Sequence, residues 1–307
     1  MSGRTQRLTI RVAGLRPGLW REYLELCKPK VVLLMVFTAM VGMFLATPGL
    51  VPADALLFGS TGIALIAAAG ATLNHVLDRQ SDAVMLRTHR RPLPSGRVDG
   101  ISALVFALVL CAAGAALLVL RVNTLTAVLT LLSMVGYSLV YTLYLKWATP
   151  HNIVIGGAAG AMPPVLGWSA VTGQLDPNAL LLFLIVFAWT PPHFWALAIH
   201  RREDYARAAV PMLPVTHGVD FTRLQILLYT LVLCAVSALP YATRMSGGAY
   251  LAGAAVLGGG FLYHAVALYR RRDDPRLPMR TFAYSIYYLA GLFGFLLLDH
   301  YLQHSWA

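Results

Sequence analysis

Nine long stretches free of charged residues divide the chain, at about 31–47, 55–77, 101–120, 122–145, 152–172, 179–199, 224–243, 245–269 and 281–298. A helix rises about 1.5 Å per residue, so a bilayer core about 30 Å thick takes roughly 20 apolar residues to cross. Every one of these stretches is long enough. None alternates apolar and polar positions with period two, which argues against a β-barrel. The pattern predicts an all-α, polytopic membrane protein of nine transmembrane helices.

Composition points the same way. Of 307 residues 58% are hydrophobic and only 12% charged, with a mean hydropathy of +0.66. Soluble domains carry about 25% charged residues, so soluble enzymes, secreted scaffolds and nucleic-acid binders are excluded. Cys27, Cys111 and Cys234 lie far apart and form no CxxC, which leaves neither a disulfide framework nor a zinc site.

The basic residues are distributed unevenly. If the N-terminus is inside, the inner segments 1–30, 78–100, 146–151, 200–223 and 270–280 hold 22 of the 24 Lys and Arg residues. Only Arg121 and Arg244 fall outside. Basic inner loops set orientation, so the N-terminus is expected in the cytoplasm and the C-terminus outside. The net charge of +11 then belongs to one membrane face, where it attracts anionic membrane lipids or an anionic substrate. Residues 1–27 are Arg-rich without an apolar core, so no secretory signal is read there. They are expected to be a basic cytoplasmic extension, with a mitochondrial transit peptide as the alternative. Residues 28–307 would form the membrane domain.

Two polar clusters break the apolar pattern, both at the inner face. Asn74, Asp78 and Asp82 stand at i, i+4 and i+8, within about 80° of one another around a helix. Stacked carboxylates repel unless a cation lies between them, and Mg2+ typically binds through one or two carboxylates plus substrate phosphates. A Pro- and Gly-containing loop follows, carrying Arg87, Arg90, Arg91 and Arg97; guanidinium groups grip phosphate oxygens in fork geometry. The second cluster is His193, His200 and Asp204 at i, i+7 and i+11, expected on one helical face. It lies four spans after the first, which suggests two related four-helix halves around a central cavity, with a ninth helix appended. Lys146 follows Tyr141 and Tyr144 and is the one basic residue between spans four and five, so it could reach the same pocket.

A metal-bound diphosphate head with a long hydrocarbon tail fits a carboxylate pair, an arginine loop and apolar helices together. Mg2+ and arginine would stabilise departing diphosphate, and an aromatic-walled chamber would shield the carbocation. That chemistry is prenyl transfer inside a membrane.

The chain resembles the UbiA-type intramembrane prenyltransferases over nearly its whole length, with Asn74-x3-Asp78-x3-Asp82 similar to their first Asp-rich motif. Four further blocks resemble the protohaem IX farnesyltransferase (haem O synthase) family within them: residues 90–96 (RRPLPSG), 152–157 (NIVIGG), 193–198 (HFWALA), and Asp204-Tyr205 with 210–214 (VPMLP). The resemblance implies nine helices around a central cavity open to the cytoplasmic side, in a bacterial plasma (inner) membrane or, as the alternative, the mitochondrial inner membrane. It implies farnesyl diphosphate as donor, haem B as acceptor, and addition of the farnesyl chain and a water-derived hydroxyl across a haem vinyl group. A downstream haem-modifying enzyme is the partner it suggests. By residue, Asn74, Asp78 and Asp82 would hold Mg2+ and diphosphate, while Arg87, Arg90, Arg91 and Lys146 neutralise its oxygens. Asp204 would assist a second metal or orient a basic side chain, Tyr141 would stabilise the allylic cation, and His193 or His200 would contact haem. The wider superfamily places two aspartates four residues apart in its second motif. Here His200 replaces the first, so a second Mg2+ is either absent or held by fewer protein ligands. A prenyltransferase for a quinone or chlorophyll precursor and a secondary transporter remain as rival readings. The first should keep both aspartates, and the second needs polar groups at both faces.

Overall fold

The computed structural model describes residues 18–304. Residues 1–17, most of the expected N-terminal extension, lie outside the described residues. The remainder of that extension is not featureless: residues 19–26 form helix α1 (Leu19–Leu26), bent 49° from α2 (Pro29–Leu45). The bend centres on Lys28, whose φ of 48° is a left-handed conformation that a side chain adopts only at a cost.

Eight further helices are long and apolar enough to cross a membrane, and the α1–α2 pair is a ninth candidate by the same measure. In chain order they are α3 (Ala55–Leu77), α5 (Gly100–Arg121), α6 (Thr124–Ala148), the pair α7 (Asn152–Gly160) and α8 (Pro163–Thr172), α9 (Pro177–His200), α12 (Gly218–Ala242), α13 (Gly248–Arg270) and α14 (Leu277–His304). Short helices α4 (Arg79–Val84), α10 (Arg202–Arg207) and α11 (Leu213–Thr216) fill the inner loops. No strand occurs among the described residues.

The spans close into a ring. α2 packs on α3, α3 on α5 and α6, α6 on α7, α7 on α9, α9 on α12, and α12 through α13 to α14, which returns to α2. One apolar core gathers Ile63, Ile66 and Leu118 with Leu166 of the fifth span, and another gathers Leu182, Ile185, Phe261, Leu292 and Phe293 with Val41 and Leu45 of the first. α5 and α6 bury little and turn residues such as Leu108, Leu120, Leu132 and Leu143 outward. That suits a lipid-facing wall. Between apolar helices in lipid, close packing rather than the hydrophobic effect selects the neighbours. The crossing of α2 and α8 shows it: a Cβ on Gly167 would sit 1.8 Å from the Ala39 carbonyl oxygen, and one on Gly42 would sit 2.2 Å from that of Pro164.

Two departures from regular α winding shape the interior. The fifth span is interrupted at Ala161–Met162, where α7 ends and Pro163 starts α8. Within α6, Gly136–Leu145 is π-wound, a form that appears mostly in short pieces and often at functional sites.

Candidate active site

α3 ends at Leu77, and Asp78 leaves helical geometry (φ −84°, ψ 2°) before α4 begins. The predicted stripe nevertheless persists, because the Asp78 amide donates to the Asn74 carbonyl (2.9 Å) and the Asp82 amide to that of Asp78 (2.8 Å). All three side chains are buried and face a cavity of about 120 Å3.

Each of the three side chains meets a cation through one oxygen. Lys146 Nζ donates to Asp78 Oδ1 at 2.6 Å, and Arg91 Nη1 to Asp82 Oδ2 at 2.7 Å. Lys28 Nζ donates to Asn74 Oδ1 at 2.5 Å and lies 3.4 Å from the Tyr137 hydroxyl. The Asn74 amide nitrogen donates to Asp78 Oδ2 (2.9 Å) and to Thr142 Oγ1 (3.1 Å), which fixes the orientation of the side chain. Four cations, Lys28, Arg87, Arg91 and Lys146, therefore share the cavity with the carboxylates of Asp78 and Asp82. That excess suits a polyanion.

The aromatic wall comes from the π-wound part of α6. Tyr137 and Tyr141 lie near parallel with centroids 6.0 Å apart, and both line the cavity. Gly156 of α7 makes room for the second ring: a Cβ there would fall 2.3 Å from Tyr141 Cδ2. From the far side come Phe194 and Tyr205. Burial pushes the Tyr205 phenol above its ordinary value, against Arg87 and Arg91, which pull it down; the hydroxyl stays protonated and able to donate.

Asn74, Asp78, Asp82, Arg87, Arg91, Tyr141 and Lys146 are thus brought together. Arg90 is exposed, and its carbonyl accepts from Arg97 (2.8 Å); its side chain does not line the cavity. The second cluster does not share one face. α9 ends at His200, and Arg201 (φ −105°, ψ 18°) then turns the chain into α10, so Asp204 leaves the line that His193 and His200 share at i and i+7. His200 is exposed. Asp204 is buried, accepts from the Leu86 amide at 3.3 Å and pairs with Arg207, which ties α10 to the arginine loop. His193 contacts Ser285 of α14 instead. Sequence reading missed Lys28, Tyr137 and Tyr205. The run Lys28-Pro29-Lys30 at the inner end of the first span was the available signal for Lys28.

Among the described residues, no three His, Cys, Asp or Glu side chains gather to hold a metal by themselves. Two carboxylates and an amide oxygen at the mouth of a cationic cavity do match the donor set of Mg2+ shared with substrate phosphates.

The UbiA prenyltransferase family matches residues 35–296. A protein of Marinobacter nauticus named protoheme IX farnesyltransferase is 62% identical over 282 residues, covering 92% of this chain and 93% of the relative. One of the same name from Nitrosococcus oceani is 60% identical, covering 92% and 94%. Among solved structures, a digeranylgeranylglyceryl phosphate synthase superposes with a TM-score of 0.76 at 18% identity, over 92% of this chain and 99% of that one. A UbiA homolog from Archaeoglobus fulgidus, bound to DMAPP and Mg2+, gives 0.64 at 18%, over 90% and 99%. These two likenesses show the fold.

Proposed function

The chain belongs to the UbiA prenyltransferase family, and from that membership we propose its reaction: transfer of a farnesyl group from farnesyl diphosphate to a vinyl group of haem B, with addition of water, giving haem O and diphosphate. The observation that carries this reading is the cavity in which Asp78 and Asp82 face four cations beneath an aromatic wall, in a chain about 60% identical to named farnesyltransferases along nearly its full length. Membership in a prenyltransferase family sets the transporter reading aside.

Asp78, Asp82 and Asn74 would hold Mg2+, which when bound neutralises the departing diphosphate. Lys146 and Arg91 now sit on those carboxylates. On donor binding they turn to the phosphate oxygens, joined by Arg87 and by Lys28, while Arg90 at the loop surface guides the diphosphate inward. Charge in the reaction develops on the leaving oxygen, where preorganised cations act most strongly. Tyr137 and Tyr141 give the allylic cation two ring faces and keep water from its charged end. Asp204 holds α10 and the arginine loop in register, so its role is orientation rather than metal binding. His193 or His200 contacts the acceptor. The inner loops are cytoplasmic, the C-terminus is outside, and a downstream haem-modifying enzyme receives the product.

Membranes containing the chain, supplied with haem B, farnesyl diphosphate and Mg2+, test the reading by chromatography and mass of the haems. A farnesylated, hydroxylated haem that is lost in Asp78→Asn supports it. Prenylated quinone precursors in place of modified haem would move the acceptor and keep the donor site.

A further inference from the structure

Ser285 of α14 holds two side chains of α9 with its two oxygens. Its carbonyl accepts from Trp189 Nε1 at 2.7 Å, and its Oγ lies 2.6 Å from His193 Nδ1. The same Oγ lies 2.6 Å from the Phe282 carbonyl oxygen. Two oxygens approach that closely only with a proton between them, and a serine hydroxyl has one to give. That proton goes to Phe282, so Oγ meets Nδ1 as an acceptor and the imidazole proton resides on Nδ1. Nε2 then carries a lone pair, since the partner of one ring nitrogen decides the state of the other.

The ring is also held flat. Trp189 stacks on it with centroids 4.1 Å apart at 18°, and Phe282 at 4.5 Å and 25°. Two near-parallel rings at such distances cannot share one face, so His193 is sandwiched between them. The side chain is only partly buried, and Nε2 has no hydrogen-bond partner among the described residues. Phe194, the next residue, lines the cation-rich cavity. His200 offers none of this: it is exposed at the helix end.

We propose that His193 binds the iron of the porphyrin acceptor axially through Nε2, with Ser285 as the positioning residue that fixes its tautomer and orientation. A free-base imidazole whose other nitrogen donates to a fixed oxygen is the usual arrangement of a metal-bound histidine. The proposal rests on haem B being the acceptor.

The test titrates the purified full-length protein with ferric haem B and records absorption and electron paramagnetic resonance, then resonance Raman of the ferrous form. The wild type is expected to show histidine ligation. His193→Gly should lose it, weaken binding about 100-fold and regain the signature with added imidazole, while His200→Ala keeps it. Ser285→Ala should weaken binding about tenfold and lower the iron–histidine stretching frequency, and Ser285→Thr should restore both. Thermal melting of each variant separates these effects from misfolding. A wild-type spectrum in His193→Gly, or loss of ligation in His200→Ala instead, overturns the proposal and leaves haem B as acceptor. Failure of the wild type to bind haem overturns the acceptor reading and this inference with it.

Discussion

At the scale of single residues the site is a set of buried charges that depend on one another. The Lys146–Asp78 pair is almost fully enclosed, and removing one partner of such a pair typically costs 3–5 kcal/mol because the other is left buried and alone. Lys146→Met should therefore lower stability by about that amount, and the double variant Asp78→Asn/Lys146→Met should recover most of it while remaining inactive. Melting curves and haem O assays on the four proteins of that cycle check both halves. Gly156→Ala should behave in the opposite way. Alanine ordinarily stabilises a helix interior by about 0.5–1 kcal/mol relative to glycine, but its methyl group would strike the Tyr141 ring. Turnover should fall about tenfold, some 1.4 kcal/mol in the barrier, with no loss of melting temperature. The carboxylates, Arg87, Arg91 and Lys146 were legible because charge at the inner end of apolar spans is conspicuous. Lys28 was not, since the left-handed turn that aims it inward leaves no mark on composition. Nor was the link from His193 to Ser285, across 92 positions of sequence.

At the scale of elements, hydropathy located the spans and said nothing of how they are wound. Tyr137 and Lys146 are nine residues apart, so at about 100° per residue they would point to opposite sides of an α-helix. Closing hydrogen bonds at i to i+5 reduces the step to roughly 80° and brings the two onto one side. The π-wound stretch is what lets a single helix supply both the aromatic wall and the cation beside Asp78. The helix ends and crossings carry their own predictions. Asp99 caps α5, accepting from the Ile101 and Ser102 amides at 3.0 and 2.9 Å; Asp99→Ala should cost about 1 kcal/mol in a melting experiment. Hydrogen bonds from Ser102 hold that carboxyl below its ordinary value. Its contribution is therefore complete above the unfolded carboxylate pKa near 4 and fades as pH falls through the lower folded value. Gly167→Ala, where backbone faces backbone, should destabilise by 1–3 kcal/mol or more as an overpacked contact, read from the same melts.

At the scale of the whole molecule, charge asymmetry predicts orientation. A cysteine replacing Arg244 should react with an impermeant thiol reagent from the outside of intact cells, and one replacing Asp274 only after the membrane is opened; the reverse pattern would invert the topology. EDTA should abolish turnover and added Mg2+ should restore it, as expected for donors completed by substrate phosphates. The spans, eight and a bent ninth candidate among the described residues, were readable because crossing a bilayer constrains length and polarity together, and the ring was not, because neighbours in lipid are chosen by shape. That ring has a consequence in time. α14 returns to α2, and His300 Nε2 lies 3.0 Å from the Thr47 carbonyl oxygen, 253 positions earlier. At roughly 5–20 residues per second, ribosomes need on the order of 13–50 seconds to cover that separation. Throughout that interval the newborn chain is an open arc with one flank of its first span facing lipid. Its last span is the latch, and a chain stalled before residue 277 is expected to be the form that quality-control proteases find.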